Sequence, residues 1–546
     1  MKHLLLLLFL PALAKAQNVD TSSITQAEKI IGLQFTASEK DSMVDRLKFY
    51  RSQYEKLHQV STPNSLAYPY AFTPAPPGFK IPVKQNAVNW AIPKDVRIPA
   101  NKADLAFYSI PQLASLIKQK KITSLELTQF FIDRLKKWGD TLECVITLTE
   151  ELALQEARQA DDEIRKGQWR GPLHGIPYGL KDLFAVKGYK TTWGSAPYKD
   201  QMIDEDAFVY TQLKKAGAVL VAKLTLGELA NNDLWFGGRT KNPWDLTRGS
   251  SGSSAGSAAA TAAGLVPFAI GTETWGSIVS PSHQCGATGL RPTFGSVSRS
   301  GAMVLCWSLD KAGPICRSAE DAAIVFYYLK GTDGKDAGAI DRAFNYTGTT
   351  NLKQLRIAYA GNYFRQLSAN SMQWSVLQKF RDLGASLTEV NFPDSTIQLY
   401  DMMSIILTAE AGAAFDELTR SNRDDLMRRQ DKNFWPNTFR TSRFIPAVEY
   451  INANRHRSVM IAKVNEFMKN YDVVIVPSFA GNQSAITNLT GHPVVVFPIG
   501  LAADTRRPNS ISLIGNLYDE ATILAVAKAF QDATDFNKQH PEKFSK

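Results

Sequence analysis

Three polar side chains in glycine-rich settings could carry out acyl chemistry together. Lys181 ends the run Gly175-Ile176-Pro177-Tyr178-Gly179-Leu180-Lys181, Ser253 lies within Gly249-Ser250-Ser251-Gly252-Ser253-Ser254-Ala255-Gly256-Ser257, and Ser277 ends Gly271-Thr272-Glu273-Thr274-Trp275-Gly276-Ser277. A serine hydroxyl becomes a useful nucleophile only when a neighbouring base takes its proton. The chain has only seven histidines, and none lies in a motif that suggests a triad. A neutral lysine can serve instead: its reference pKa is about 10.4, and burial lowers it by several units. Lys181 lies between Ile176–Leu180 and Leu183-Phe184, where burial is expected. The alternative is a lysine paired with Asp182 at a helix end. Ser253 could join base and nucleophile, because a hydroxyl both donates and accepts a proton and flanking glycine lets backbone approach closely.

These residues need elements that hold them. Pro267–Gly271, before Ser277, is a short apolar run that reads as a buried strand, as do Ala218–Ala222, Val473–Val476 and Val494–Pro498. The turn over Glu273–Gly276 could aim successive backbone N–H groups at one point beside the Ser277 hydroxyl, which is what an oxyanion needs. Ala255–Ala263 is alanine-rich, with Gly264 placed to end it, and reads as a closely packed helix. Thr123-Ser124-Leu125-Glu126 is a capping box opening a helix through Leu135. The alternation predicts an α/β fold: a large mixed, mostly parallel β-sheet covered by helices on both faces. Residues 103–535 form the main domain, in which the more polar 335–450 read as a cap, with an arginine-rich helix near Asp424–Arg429. Residues 17–102 read as an appendage, with a charged helix over Thr36–His58 and an extended proline-rich segment, Thr62–Pro93.

Composition narrows the class. The 546 residues are 44% hydrophobic and 21% charged, with a formal charge of +10, which fits a globular protein with a sizeable core. Positive residues are scattered, with no basic block, so no nucleic-acid partner is expected. Lys2 and His3, the apolar run Leu4–Leu10 and Ala14-Lys15-Ala16 read as a signal peptide over residues 1–16, cleaved before Gln17. That predicts a secreted or periplasmic protein with no stable membrane insertion after cleavage. Cys144, Cys285, Cys306 and Cys316 do not make a disulfide scaffold. They read as buried thiols, with a Cys306–Cys316 bridge as the alternative.

Taken together, the three fragments resemble the amidase signature family. Further matches are Cys285-Gly286-Ala287-Thr288-Gly289-Leu290-Arg291-Pro292-Thr293, Val297-Ser298-Arg299, Ser308-Leu309-Asp310 through Gly313-Pro314, and Leu513-Ile514-Gly515 with Asp519-Glu520-Ala521-Thr522. The resemblance spans about 103–535. It implies a Ser-Ser-Lys triad with Ser277 as nucleophile, Ser253 as relay serine after a cis peptide from Gly252, and Lys181 as base. It also implies an oxyanion hole from the backbone N–H groups of Thr274, Trp275, Gly276 and Ser277. The reaction implied is hydrolysis of a linear carboxylic amide (a peptide amide, an N-acyl amine or an aryl amide) with no cofactor and no metal; the partner is a small-molecule or peptide amide.

The chain departs from the family at Glu273, where aspartate is usual, at Trp275, where glycine is usual, and at Val279, where arginine is usual. Ser251 and Ala255 also replace glycines. If the family glycine at 275 uses a positive φ, tryptophan is strained there; otherwise its indole shapes the acyl pocket. Rival readings follow from the same residues. Gly252-Ser253-Ser254-Ala255-Gly256 matches the nucleophile elbow, with Ser254 as nucleophile and His456 or His492 as base, but Asn242–Arg248 reads as a polar loop where that motif needs a strand. A glutamine-amidotransferase A-like subunit shares the signature, and a catalytically impaired binding protein could use the same scaffold.

Overall fold

The computed structural model describes residues 19–66, 70–394 and 399–546. The leader read over residues 1–16 lies outside the described residues. Two compact units divide between Pro63 and Asn64. The smaller is a helical hairpin of α1 (Thr21–Ile31) and α2 (Ala37–Leu57). Asp20 and Thr36 each open a capping box, and Gly32 ends α1 with φ +70°. Glu28 binds the hairpin together, accepting from the Phe35 N–H and pairing with Lys40 at 2.8 Å. The sequence places the appendage over 17–102, but from Asn64 onward the extended segment belongs to the larger unit. It is pinned there by hydrogen bonds, with Pro82 accepting from the Ala343 N–H and Gln85 and Asn86 bonding to Asn345.

The larger unit is built on a sheet of 11 strands. In chain order these are β1 (Val145–Leu148), β2 (Pro177–Lys181), β3 (Val219–Leu224), β4 (Ala269–Glu273), β5 (Thr288–Arg291), β6 (Lys311–Cys316), β7 (Ile357–Ala360), β8 (Leu387–Val390), β9 (Val473–Pro477), β10 (Val494–Leu501) and β11 (Pro508–Gly515). Their order across the sheet is β1-β3-β2-β4-β6-β5-β10-β11-β9-β7-β8. The pairs β2–β3, β2–β4, β7–β9 and β7–β8 are parallel, and all other neighbours are antiparallel. The sheet is large, mixed and surrounded by helices, as the sequence predicts, but it is not mostly parallel. Two of the antiparallel pairs, β5–β6 and β10–β11, join consecutive strands without an intervening helix, a connection that favours antiparallel pairing.

The inner strands β2, β3 and β6 are buried along their whole length, which their apolar runs require of a sheet covered on both faces. The capping box at Thr123 opens α3 (Ser124–Leu142), a full turn or more longer than expected. The alanine-rich helix is α4 (Ala255–Ala262), and Gly264 follows it at φ +64°. It lies so close to β3 that a Cβ on Gly256 would stand 2.5 Å from the Thr225 hydroxyl. A short helix, α5 (Val279–Cys285), begins just after Ser277.

Three local expectations need correction. Asn242–Arg248 is not an unpaired loop: Lys241–Asn242 pairs with Asp245–Gly249 as a short antiparallel ribbon. Asp424–Arg429 is not an arginine-rich α-helix but a 3-10 turn over Arg423–Leu426, preceded by Asn422 at φ +56°. Residues 335–450 are not only a cap, since they supply β7 and β8, which extend the sheet beyond β9. Helix α6 (Leu399–Ala414) lies in the same region, and α7 (Ala447–Met468) begins at its end. The four cysteines are buried and free, without a Cys306–Cys316 bridge. No helix among the described residues is long and apolar enough to cross a membrane.

Candidate active site

Parallel pairing places Lys181. β2 and β4 run side by side in the same direction, with Gly179 opposite Ala269 and Leu180 opposite Ile270. Their carboxyl ends therefore open at the same edge of the sheet, where Lys181 ends β2 and the turn Thr274–Ser277 leaves β4. The Ser250–Ser254 run enters this edge from the side and leads into α4. Gly271 makes room for it, since a Cβ there would lie 2.6 Å from the Ser254 hydroxyl.

Lys181 is fully buried. Its Nζ donates to Ser253 Oγ at 2.8 Å, Ser254 Oγ at 3.1 Å and Thr272 Oγ1 at 2.8 Å, and lies 3.5 Å from the Thr272 carbonyl. It does not pair with Asp182. That carboxylate turns instead to Lys223, at 2.7 Å, and accepts from the N–H and hydroxyl of Thr192. Burial pushes the Lys181 pKa down, and Asp310 and Glu273 hold it only partly up, leaving it at about 7. A lysine in this state loses and regains a proton near neutrality.

Ser253 follows a cis peptide from Gly252, and its carbonyl accepts from the Gly227 N–H. Ser251, in place of a family glycine, stands at φ +61°, a left-handed conformation that costs a non-glycine residue about 1–3 kcal/mol. Its neighbours fix it there: the Ser251 N–H donates to Asp233, and its hydroxyl meets that of Ser280 at 2.7 Å. Ser254 holds a structural position. Its hydroxyl donates to the Thr272 carbonyl at 3.0 Å and accepts from the Thr272 N–H and from Lys181. Neither histidine of the elbow reading is among these partners. His492 is bound to Thr490 Oγ1 at 2.8 Å, and His456 lies on α7.

Ser277 is 8% exposed, and its hydroxyl makes no hydrogen bond among the described residues. Its carbonyl accepts from the Ser254 N–H at 3.2 Å, which ties the Thr274–Ser277 turn to the serine run. Within the turn, the backbone N–H groups of Thr274, Trp275, Gly276 and Ser277 donate to no acceptor among the described residues. The positive φ falls on Gly276, at +85°, and not on Trp275. Tryptophan is therefore unstrained at 275. Its indole packs on the core between β9, β10 and α6, with the Tyr400 ring 5.5 Å away.

Glu273 closes this turn from beneath. One carboxylate oxygen accepts from the Ile278 and Val279 N–H groups at 2.9 and 3.0 Å. The other accepts from Arg291 at 2.8 Å and Asn488 at 2.9 Å. Burial opposes its charge, but Arg291 and Lys311 outweigh it and hold the pKa at about 2. Arg291, from the Gly289-Leu290-Arg291 motif, is the cation that pairs with Glu273. Arg291, Thr272 and Asn488 are site residues to which the sequence assigns no role. Arg291 at least stands inside a recognisable motif, whereas Asn488, on the helix Gln483–Thr490, gives no local signal.

A buried lysine hydrogen-bonded to serine and threonine hydroxyls, a neighbouring turn serine and backbone N–H groups without acceptors among the described residues are the kinds of groups acyl chemistry uses. Comparison with known proteins points the same way. A family model described as Amidase matches residues 126–486. The A-type subunit of glutamyl-tRNA(Gln) amidotransferase from Coxiella burnetii is 35% identical over 480 residues, covering 80% of this chain and 99% of that protein. Among solved structures, native peptide amidase from Stenotrophomonas maltophilia superposes with a TM-score of 0.70 at 27% identity, covering 78% of this chain and 97% of that one. An amidase family protein from Bacillus anthracis gives 0.72 at 26% identity, covering 82% and 95%.

Proposed function

This chain belongs to the amidase family, and from that premise we propose that it hydrolyses linear carboxylic amides through an acyl-enzyme on Ser277. The observation that carries the reading is the Lys181–Ser253 hydrogen bond in a buried pocket where Lys181 has no carboxylate partner among the described residues. Ser277 Oγ attacks the amide carbonyl, and its proton passes to Ser253 as Ser253 gives its own to Lys181. The carbonyl oxygen gathers negative charge against the N–H groups of Thr274–Ser277, the kind of preorganised donors that stabilise an oxyanion. The proton then returns through Ser253 to the amine nitrogen, the C–N bond breaks, and the amine leaves. Water, deprotonated by the same relay, hydrolyses the Ser277 ester.

The test is a panel of amides of varied acyl and amine size, with fluorophosphonate labelling of Ser277. Hydrolysis by wild type and its loss in a folded Ser277→Ala variant are expected. Unlabelled Ser277 with no turnover of any amide would favour the impaired binding protein, and full activity in Ser277→Ala would sink the mechanism.

A second reading, an amidotransferase A-like subunit, is favoured by the 35% identity over nearly the whole length of the Coxiella protein. On that reading glutamine is hydrolysed chiefly when partner subunits and tRNA are added; turnover of simple amides by the isolated chain argues against it. The location we propose is secreted or periplasmic, supported by the leader pattern of residues 1–16. N-terminal sequencing of the mature protein should begin at Gln17, and an intact Met1 in the cytosol would overturn it.

A further inference from the structure

Asp310 is buried, and its carboxylate touches the turn that precedes the nucleophile. Oδ1 accepts from Thr274 Oγ1 at 2.6 Å, and Oδ2 accepts from the N–H groups of Leu305 and Cys306 at 2.8 and 3.0 Å. All of these donors are neutral. The nearby cations are engaged elsewhere: the Arg299 guanidinium grips Asp336 and the carbonyls of Trp307 and Asp310, and Lys311 donates to the Leu309 carbonyl. Asp310 thus forms no ion pair among the described residues; burial raises its pKa, while its neutral donors and the nearby Arg299 guanidinium favour the charged form.

The end of β4 and the turn that follows it link Asp310 to Lys181. Thr272 Oγ1 accepts from Lys181 Nζ, while Thr274 Oγ1 donates to Asp310. Both threonines and Asp310 line one small cavity of about 20 Å³, with Arg299 and Lys311 on its wall. The other carboxylate acting on Lys181, Glu273, is already neutralised by Arg291.

We propose that Asp310 is a positioning residue for the reaction: through Thr274 it fixes the first N–H of the oxyanion turn, and its unpaired charge supports the ammonium that Lys181 becomes when it takes the proton. This rests on the reading of Lys181 as the base. The two effects belong to different atoms and can be separated. Asp310→Asn keeps the shape and removes the charge. Thr274→Val removes the hydrogen bond and keeps the charge, and Thr274→Ser restores it.

The experiment is the pH profile of kcat/KM on one amide, with folding checked by circular dichroism and thermal unfolding. In Asp310→Asn the acid limb should move down by about one pH unit, the size expected when one opposite charge near a lysine is removed, and the plateau should fall about tenfold. Thr274→Val should lower the plateau several-fold with the limb in place, and Thr274→Ser should return it to near wild type. A folded Asp310→Asn enzyme whose limb does not move overturns the proposal. Should Asp310→Asn fail to fold, an unchanged plateau in Thr274→Val overturns it. Wild-type turnover in Lys181→Met would remove the base reading itself, an outcome separate from either of these.

Discussion

Two lysines lie side by side in the sheet and serve opposite ends. Lys181 ends β2 and Lys223 stands on β3, where Leu180 pairs with Lys223 and Lys181 with Leu224. Both are fully buried. Lys223 meets a carboxylate, Asp182, at 2.7 Å, together with Thr191 Oγ1 and the Lys190 carbonyl. Among the described residues, Lys181 meets only hydroxyls and one carbonyl. Burial lowers the pKa of both, but only Lys223 has an anion in contact to oppose it. Asp182 follows Lys181 directly in sequence, yet it serves the other lysine. The contrast teaches that burial alone does not make a base; the partner decides whether the charge is locked in place or can come and go.

That contrast can be broken by substitution. Lys181→Met should cut kcat/KM by ~10²–10⁴-fold with the fold intact, the range a positioned base is worth. Lys223→Met should instead cost stability, about 3–5 kcal/mol by denaturant unfolding, because it leaves Asp182 buried without its cation. If Lys223→Met were the inactive, stable variant and Lys181→Met the unstable one, the assignment would be reversed. Replacing both members of the pair, as Lys223→Met with Asp182→Leu, should recover most of that loss. About 1–3 kcal/mol should remain for the Thr192 donors left without an acceptor.

The mildest test is titration. Only neutral Lys181 can accept a proton, so kcat/KM should be half-maximal near its pKa of about 7 and fall by roughly tenfold per pH unit below it. Stability should move with pH in a higher window. The unfolded lysine holds its proton up to about 10.4, whereas the folded one releases it near 7. The unfolded chain thus binds more protons between these values, and stability rises with pH across that interval. Lys181→Met should flatten this slope. A slope unchanged by the substitution would mean that Lys181 keeps its charge when buried.

The sequence makes some of this legible and hides the rest, for physical reasons. Lys181, Ser253 and Ser277 can be found because each lies in a run of small residues that a close-packed site demands. The helices α2, α3 and α4 announce themselves through caps and composition. What stays hidden is pairing across the fold. Nothing local tells Asp182 to choose Lys223, or brings Asn488 to Glu273 from 215 residues away. The antiparallel centre is equally silent, because an apolar run such as Val494–Pro498 reads the same in either direction. β7 and β8 are only four residues each within a polar stretch, too short for periodicity to mark. The unstrained backbone of Trp275 follows from the turn placing its positive φ one residue later, which composition does not encode.

Glu273 has one more consequence. Its side chain leaves the last residue of β4 and returns to the backbone just beyond Ser277, so the four residues between lie inside a ring closed by hydrogen bonds. A closed ring fixes the path of its own backbone whatever side chains it carries. Position 275 can then change from glycine to tryptophan without dislodging the nucleophile, whereas adding or deleting a single residue would break the loop's closure. The turn separates a backbone path that must stay constant from a side chain, at 275, that answers to the apolar cluster it packs against.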